Sequence, residues 1–215
     1  KKFEEKINTK DINNEEIDSD ITINGLNKTV IQCKDGGITS FVYGKNIITS
    51  SCTYHHWRFR INNHNTSNDD KSVTTDNNGN NFIIGIKQIG SDSNTISTNS
   101  DDDTQNVIDS KENGVYSFIG SHGLKSCNTD IKHYTNQRFN KTNDVLDMYL
   151  NFENAFDAES TNGAELSFVL NNESLGVAFD KLDINKQYRM QSGLKIKQST
   201  IELIGYHSSK KYKHS

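Results

Sequence analysis

Along Trp57-Arg58-Phe59-Arg60-Ile61 the large apolar side chains alternate one for one with arginines. Successive side chains of an extended chain point to opposite faces, so this run buries one face and wets the other. The same period of two returns in Leu146, Met148, Leu150 and Phe152, and again in Leu166, Phe168 and Leu170. No segment carries a sustained 3.6-residue apolar stripe. The expected fold class is therefore all-β, a β-sandwich with long polar loop insertions. Strands are expected over residues 29–34, 40–44, 53–62, 82–89, 114–120, 145–154, 164–170, 175–179, 188–196 and 200–206. These stretches are short, rich in Ile, Val, Phe, Tyr and Thr, and bounded by Gly and Asn.

Turn chemistry orders part of this set. Asn162-Gly163 is a strong hairpin signal because both residues tolerate positive φ, and Asn171-Asn172 is a weaker version of it. Together they predict that the strands at 145–154, 164–170 and 175–179 run as a meander of antiparallel neighbours. Gly85 and Gly176, inside expected strands, suggest close approach of another backbone.

Hydrophobic residues make up only 32% of the 215-residue chain, against about 45–50% in an ordinary globular protein. Two segments account for the deficit. Residues 62–81 contain one large apolar residue, Val73, and residues 90–113 contain three, Ile96, Val107 and Ile108. Neither offsets its ordering entropy by burial, so both are expected to be surface loops. The chain has 28 Asn and 20 Lys but only 4 Arg, 4 Ala and no Pro, the usage of a strongly AT-biased genome. Residues 1–27 are charged and sparsely apolar, and are expected to form a linker or terminal arm with room for one short helix. A domain over 28–207 follows, then a basic tail over 208–215.

Several function classes fall away. No stretch approaches the ~18 apolar residues of a membrane-spanning helix. The net charge of −4 gives no global electrostatic case for nucleic acid. Cys33, Cys52 and Cys127 are odd in number and lack CxxC spacing, which favours a reduced, cytoplasmic chain over a disulfide framework or a zinc site. Four N-x-Ser/Thr sequons match the roughly five that chance gives from 28 Asn and 39 Ser+Thr, so they do not argue for secretion. No signal peptide is visible, and the opening at Lys1 without an initiator Met is what an excised piece of a longer chain would show.

Catalytic and metal constellations are weak. His55 and His56 face opposite ways on a strand and cannot share one metal, while Trp57 and Phe59 suit a core. Gly120-Ser121-His122-Gly123 is not a nucleophile elbow, and its Ser and His diverge; a tight strand-to-loop turn is expected. Asp144 and Asp147 are three apart, on opposite faces, where a glycosidase needs two carboxyls across one cleft. Asp101-Asp102-Asp103 lacks the glycine and distal Glu of a calcium loop. No catalytic residue, metal or cofactor is expected.

Six elements in order resemble a SPRY domain: TYHHWRFRI, FIIGI, GVYSFIGSHG, DVLDMYLNFE, ELSFVLNNESLGVAF and TIELIG. The most specific is the fifth, where Leu166-Ser167-Phe168, Asn171, Leu175-Gly176 and Ala178-Phe179 match L-S-F-x-x-N-G-x-x-L-G-x-A-F. The pattern's Gly after the signature Asn is Asn172 here. Its Gly in the D-V-(I/L)-G element is Asp147, for which the sequence offers no reason. The resemblance spans roughly residues 30–206.

What the resemblance implies is a bent sandwich of two antiparallel sheets, similar to concanavalin-type lectins, acting as a non-catalytic protein-binding module in an adaptor or a ubiquitin-ligase substrate receptor. Such domains present loops at one end of the sandwich to a peptide or folded partner. The best-described peptide binders use an Arg and a Pro before the second strand, and a Val-Trp-Gly in the penultimate one. Here those places hold Lys34, Asp35, Gly36 and Gly37, and Lys195, Ile196 and Lys197. The surface is therefore carried over without its ligand: Lys34–Gly37, Asn80, Asn81, Ser121, His122, Lys125 and Lys195–Lys197. The expected partner is a protein or peptide, not nucleic acid or membrane, and the domain is expected to be a monomer. The alternative reading is a carbohydrate-binding module on the same sandwich, with exposed aromatics and Asn or Asp on a concave face. A third is a structural domain packed against neighbours in its parent chain.

Overall fold

The computed structural model describes residues 21–24, 30–33, 40–44, 46–63, 82–90, 114–153, 163–194 and 199–210. Thirteen strands lie within them: β1 (Ile21–Asn24), β2 (Val30–Cys33), β3 (Ser40–Tyr43), β4 (Tyr54–Asn63), β5 (Phe82–Gln88), β6 (Val115–Ile119), β7 (Leu124–Cys127), β8 (Asp130–His133), β9 (Val145–Asn151), β10 (Ala164–Leu170), β11 (Glu173–Leu182), β12 (Tyr188–Leu194) and β13 (Thr200–Ser209). They form two antiparallel sheets. Sheet A runs β1-β2-β13-β4-β9-β10-β11, and sheet B runs β3-β12-β5-β6-β7-β8. Every expected strand is present.

Three strands were not expected. β1 falls in the charged segment 1–27 and pairs with β2, Ile23 opposite Ile31. β7 and β8 form a hairpin turned by Asn128 at φ 56. β8 is exposed at all four positions, so it lacks the buried alternate face from which a strand is read.

Alternation along β4 is strict. His55, Trp57, Phe59 and Ile61 are buried, while Tyr54, His56, Arg58, Arg60 and Asn62 stand between core and solvent. Leu146, Met148 and Leu150 on β9, and Leu166, Phe168 and Leu170 on β10, continue the inner face of sheet A. Phe82, Ile84 and Ile86 on β5, Phe118 on β6, and Tyr188 and Leu194 on β12 supply that of sheet B. The sheets meet ring to ring: Phe118 lies 5.3 Å from Phe168, and Tyr116 packs edge-on against Phe179 at 5.5 Å. Each fully buried Phe, Leu or Ile here contributes roughly 1.5–3 kcal/mol.

The meander β9-β10-β11 forms as expected. Asn171 and Asn172 sit at φ 51 and 70, so both central residues of the turn between Leu170 and Glu173 are left-handed, which matches the right-handed twist of the flanking strands. The expected turn at Asn162-Gly163 lies partly outside the described residues. Gly85 does mark a close approach: a Cβ there would collide with the Tyr116 carbonyl on β6. Gly176 does not. Nothing lies within 4 Å of a Cβ built on it, and its φ of +83 is what calls for glycine.

The turn gives a stability prediction. Asn172→Gly should stay within about 0.5 kcal/mol of the parent, whereas a β-branched Asn172→Val should cost about 1–2 kcal/mol in urea unfolding, because only the latter meets the left-handed steric penalty.

Candidate functional site

The register of the strands brings several strand ends together at one end of the sandwich. Leu194 lies opposite both Ser40 and Phe82, Ile83 opposite Ile119, Ile119 opposite Leu124, and Leu124 opposite His133. The ends of β3, β5, β6, β7, β8 and β12 thus share one edge of sheet B. Two described segments lie at that edge, 120–123 between β6 and β7 and 134–144 after β8. Of the residues singled out from the sequence, Ser121, His122 and Lys125 are described. Lys34, Asp35, Gly36, Gly37, Asn80, Asn81, Lys195, Ile196 and Lys197 lie outside the described residues.

The described part of this end is firmly pinned. Phe139, fully buried, packs against Phe82 at 5.8 Å. Its backbone N–H donates to the Gly120 carbonyl, and the Gly120 N–H donates to that of Phe82. A Cβ on Gly120 would stand 2.9 Å from the Phe139 side chain, so the fit depends on the missing methyl. Gly123, at φ +67, accepts from the N–H groups of both Tyr134 and Thr135. Ser121 and His122 thus sit in a tight turn after β6, as expected, but it leads into β7 rather than a loop, and Arg138 Nη1 donates to the Ser121 carbonyl at 2.7 Å. Burial, with the Arg138 charge second, pulls the His122 imidazole below its ordinary pKa.

Asp144 ties the rest. It is buried, and its Oδ2 accepts from the backbone N–H groups of Asn140 (3.1 Å) and Lys141 (2.8 Å). Its Oδ1 accepts from Asn171 Nδ2 at 2.9 Å, and Asn171 Oδ1 accepts from the Val145 N–H. One carboxylate therefore fixes the loop before β9 to the β10–β11 turn. Asp144 and Arg138 were missed as site residues. The only sequence signal for Asp144 was its place at the opening of the D-V-L element.

Lys125, the second residue of β7, reaches across the gap between the sheets. Its Nζ donates to the Ala178 carbonyl on β11 at 2.5 Å, and lies over the rings of Tyr134 and Phe179 at 5.7 and 5.5 Å.

A second polar cluster occupies the outer face of sheet A. Asp147, only 2% exposed, receives Arg58 in fork geometry, Nε to Oδ1 at 2.7 Å and Nη2 to Oδ2 at 3.0 Å. His56 Nε2 lies 2.5 Å from the same Oδ1, and its ring stacks on Tyr149 at 4.5 Å. These contacts supply the reason for an aspartate where the resembled pattern has glycine: a side chain here faces Arg58 directly across the β4–β9 ladder. Burial pushes the Asp147 carboxyl up, but the bonds from Arg58 and His56 outweigh it and hold the pKa below the ordinary value. His55 faces the opposite way, into the core beside Trp57, so the two histidines diverge as expected. Among the described residues no group of three His, Cys, Asp or Glu side chains converges as metal ligands would.

Two predictions follow from these contacts. Asp144→Ala should cost about 2–4 kcal/mol in equilibrium unfolding, because it strands three donors, and Asp144→Asn should cost less. Stability should also fall with acid in two separate windows. Burial depresses the His55 pKa from 6.5, so its contribution is complete above 6.5 and is lost as pH falls below it, with His122 adding in the same window. Asp147, depressed from 3.8, acts the same way in a lower window. A His55→Gln/His122→Gln double variant should flatten the upper slope in pH-dependent thermal unfolding and leave the lower one.

No family model matches the sequence, and no curated protein matches it. Solved structures do. The SPRY domain of human HERC1 superposes with a TM-score of 0.53 at 12% identity, over 85% of this chain and 91% of that one. A human SPRY domain gives 0.53 at 8% identity over 86% and 96%, and the TRIM65 PSpry domain 0.51 at 9% over 88% of each. At such identities the likeness speaks for architecture alone, and it agrees with the order of motifs in the sequence: the chain has the two-sheet fold of a SPRY domain.

Proposed function

We propose that this chain is a protein-interaction module that docks a peptide or folded partner on the loops at the β3–β12–β5–β6–β7 end of the sandwich. The observation that carries this reading is the meeting of six strand ends at one edge of sheet B whose described part is fixed by Phe139, Gly123 and Asp144. A loop surface held in advance binds with less ordering cost, because its backbone is already fixed. The SPRY likeness supports the same reading. Arg138 and Lys141 are exposed on this end, and Lys34, Lys195 and Lys197 belong to its connections in sequence. The setting proposed is a larger intracellular protein such as an adaptor or a ligase substrate receptor, with no catalytic step of its own.

The test is an affinity pull-down from source cells, identified by mass spectrometry. It compares the parent with Lys195→Glu/Lys197→Glu, with Arg138→Glu, and with Lys186→Glu between β11 and β12 as a control away from this end. Proteins lost with the loop variants and kept with Lys186→Glu support docking at this end, by tenfold or more in a follow-up titration. An identical catch from all four sinks it. A glycan array run in parallel decides for the carbohydrate-binding alternative if a sugar is bound and no protein is.

A further inference from the structure

Lys125 is a cation held by neutral partners. Its Nζ donates to the Ala178 carbonyl and lies over the rings of Phe179 and Tyr134, and among the described residues no carboxylate pairs with it. Tyr134 is itself fixed, its hydroxyl donating to the Gly176 carbonyl at 2.5 Å, with burial raising its pKa to about 12 so that it stays a neutral ring. Phe179 is braced edge-on by Tyr116. Two ring faces and one carbonyl around a nitrogen are the components of an alkylammonium cage, since the negative face of a ring attracts a cation within about 6 Å of its centroid. The cage stands where β7 of sheet B meets β11, the outermost strand of sheet A, and both rings are only partly buried.

We propose that this cleft is an alkylammonium-binding site which the chain fills with its own Lys125, and that its external ligand is a methylated lysine on a partner peptide. The donor and acceptor count selects the methylation state. Two rings take two methyl groups, and the single Ala178 carbonyl takes one N–H, so dimethyllysine matches every partner that Lys125 uses. A trimethylated lysine has no N–H for the carbonyl, and an unmethylated one carries more hydration to the rings. Tethered Lys125 competes with any outside cation, so the apparent affinity of the wild-type site is lowered by the fraction of time that Lys125 occupies it. Tyr134 also opens the 134–144 connection of the loop end, so the cage borders that rim, but its test reads cation binding alone and does not depend on docking there.

The test uses the full chain with N,N-dimethylbutylammonium, n-butylammonium, N,N,N-trimethylbutylammonium and the neutral 4-methylpentanol as probes, followed by calorimetry or ligand-observed NMR. Lys125→Ala vacates the cage and leaves the Ala178 carbonyl open. This variant should bind the dimethylated cation about tenfold tighter than the alcohol, and tighter than the other two cations. Wild type should bind the same cation at least about tenfold more weakly, and so should Lys125→Met, whose side chain still fills the space. Adding Phe179→Leu to Lys125→Ala should remove the preference for cation over alcohol. Should Lys125→Ala be unfolded alone, recovery of its fold by the cation but not by the alcohol is the equivalent reading. Equal binding of cation and alcohol, no binding of either, or a preference that survives Phe179→Leu would overturn the proposal.

Discussion

The closing of the two inner faces on each other governs what every other side chain can do. Phe118 meeting Phe168 and Tyr116 meeting Phe179 leave no freedom of register, since a slip by one residue would turn a whole apolar row to solvent. With Trp57, Phe59 and Ile61 committed inward, His56, Arg58 and Arg60 are forced outward, and the β4–β9 pairing then sets Arg58 against Asp147 and His56 against Tyr149. The outer charge cluster is thus a by-product of core packing in its position, though not in its chemistry. A carboxylate buried to 2% under a guanidinium and an imidazole costs desolvation that a small residue would avoid, and its two-oxygen fork fixes the orientation of both partners.

The loop end depends on the same closure by a longer chain of contacts. Phe139 belongs to the core by burial and to the loop by connectivity, so its ring transmits the rigidity of sheet B to the segment that carries Arg138 and Lys141. Asp144 extends that rigidity to sheet A through Asn171. Few side chains are needed because each satisfies backbone donors that would otherwise be buried unpaired.

Most of the fold was legible in the sequence because its signals are local. Period-two alternation marked β4, β9 and β10, and Asn171-Asn172 marked the β10–β11 turn. What stayed illegible is what depends on distant partners. β8 has no buried face, and β1 stands as a strand only through its pairing with β2. Asp147 looked unaccountable because Arg58, its partner, is 89 residues away. The contacts of Lys125 stayed hidden because its sequence neighbours are Ser121 and His122, whereas the atoms it touches lie on Tyr134, Ala178 and Phe179. Gly176 was recognised as special for the wrong cause: a torsion angle, unlike a collision, leaves no trace in the residues around it.

The placing of the last two strands has a consequence for how the chain is made. β13 alone joins β2 to β4 in sheet A, and β12 alone joins β3 to β5 in sheet B. Among the described residues, the three strands β1, β2 and β3 therefore have no ladder to the rest until residues 188–209 have been synthesised and inserted between them. During translation the N-terminal strands wait with open edges while more than a hundred residues follow. Such non-local closure makes for slow folding. It also makes the nascent chain a natural client for chaperones that mask unpaired strands.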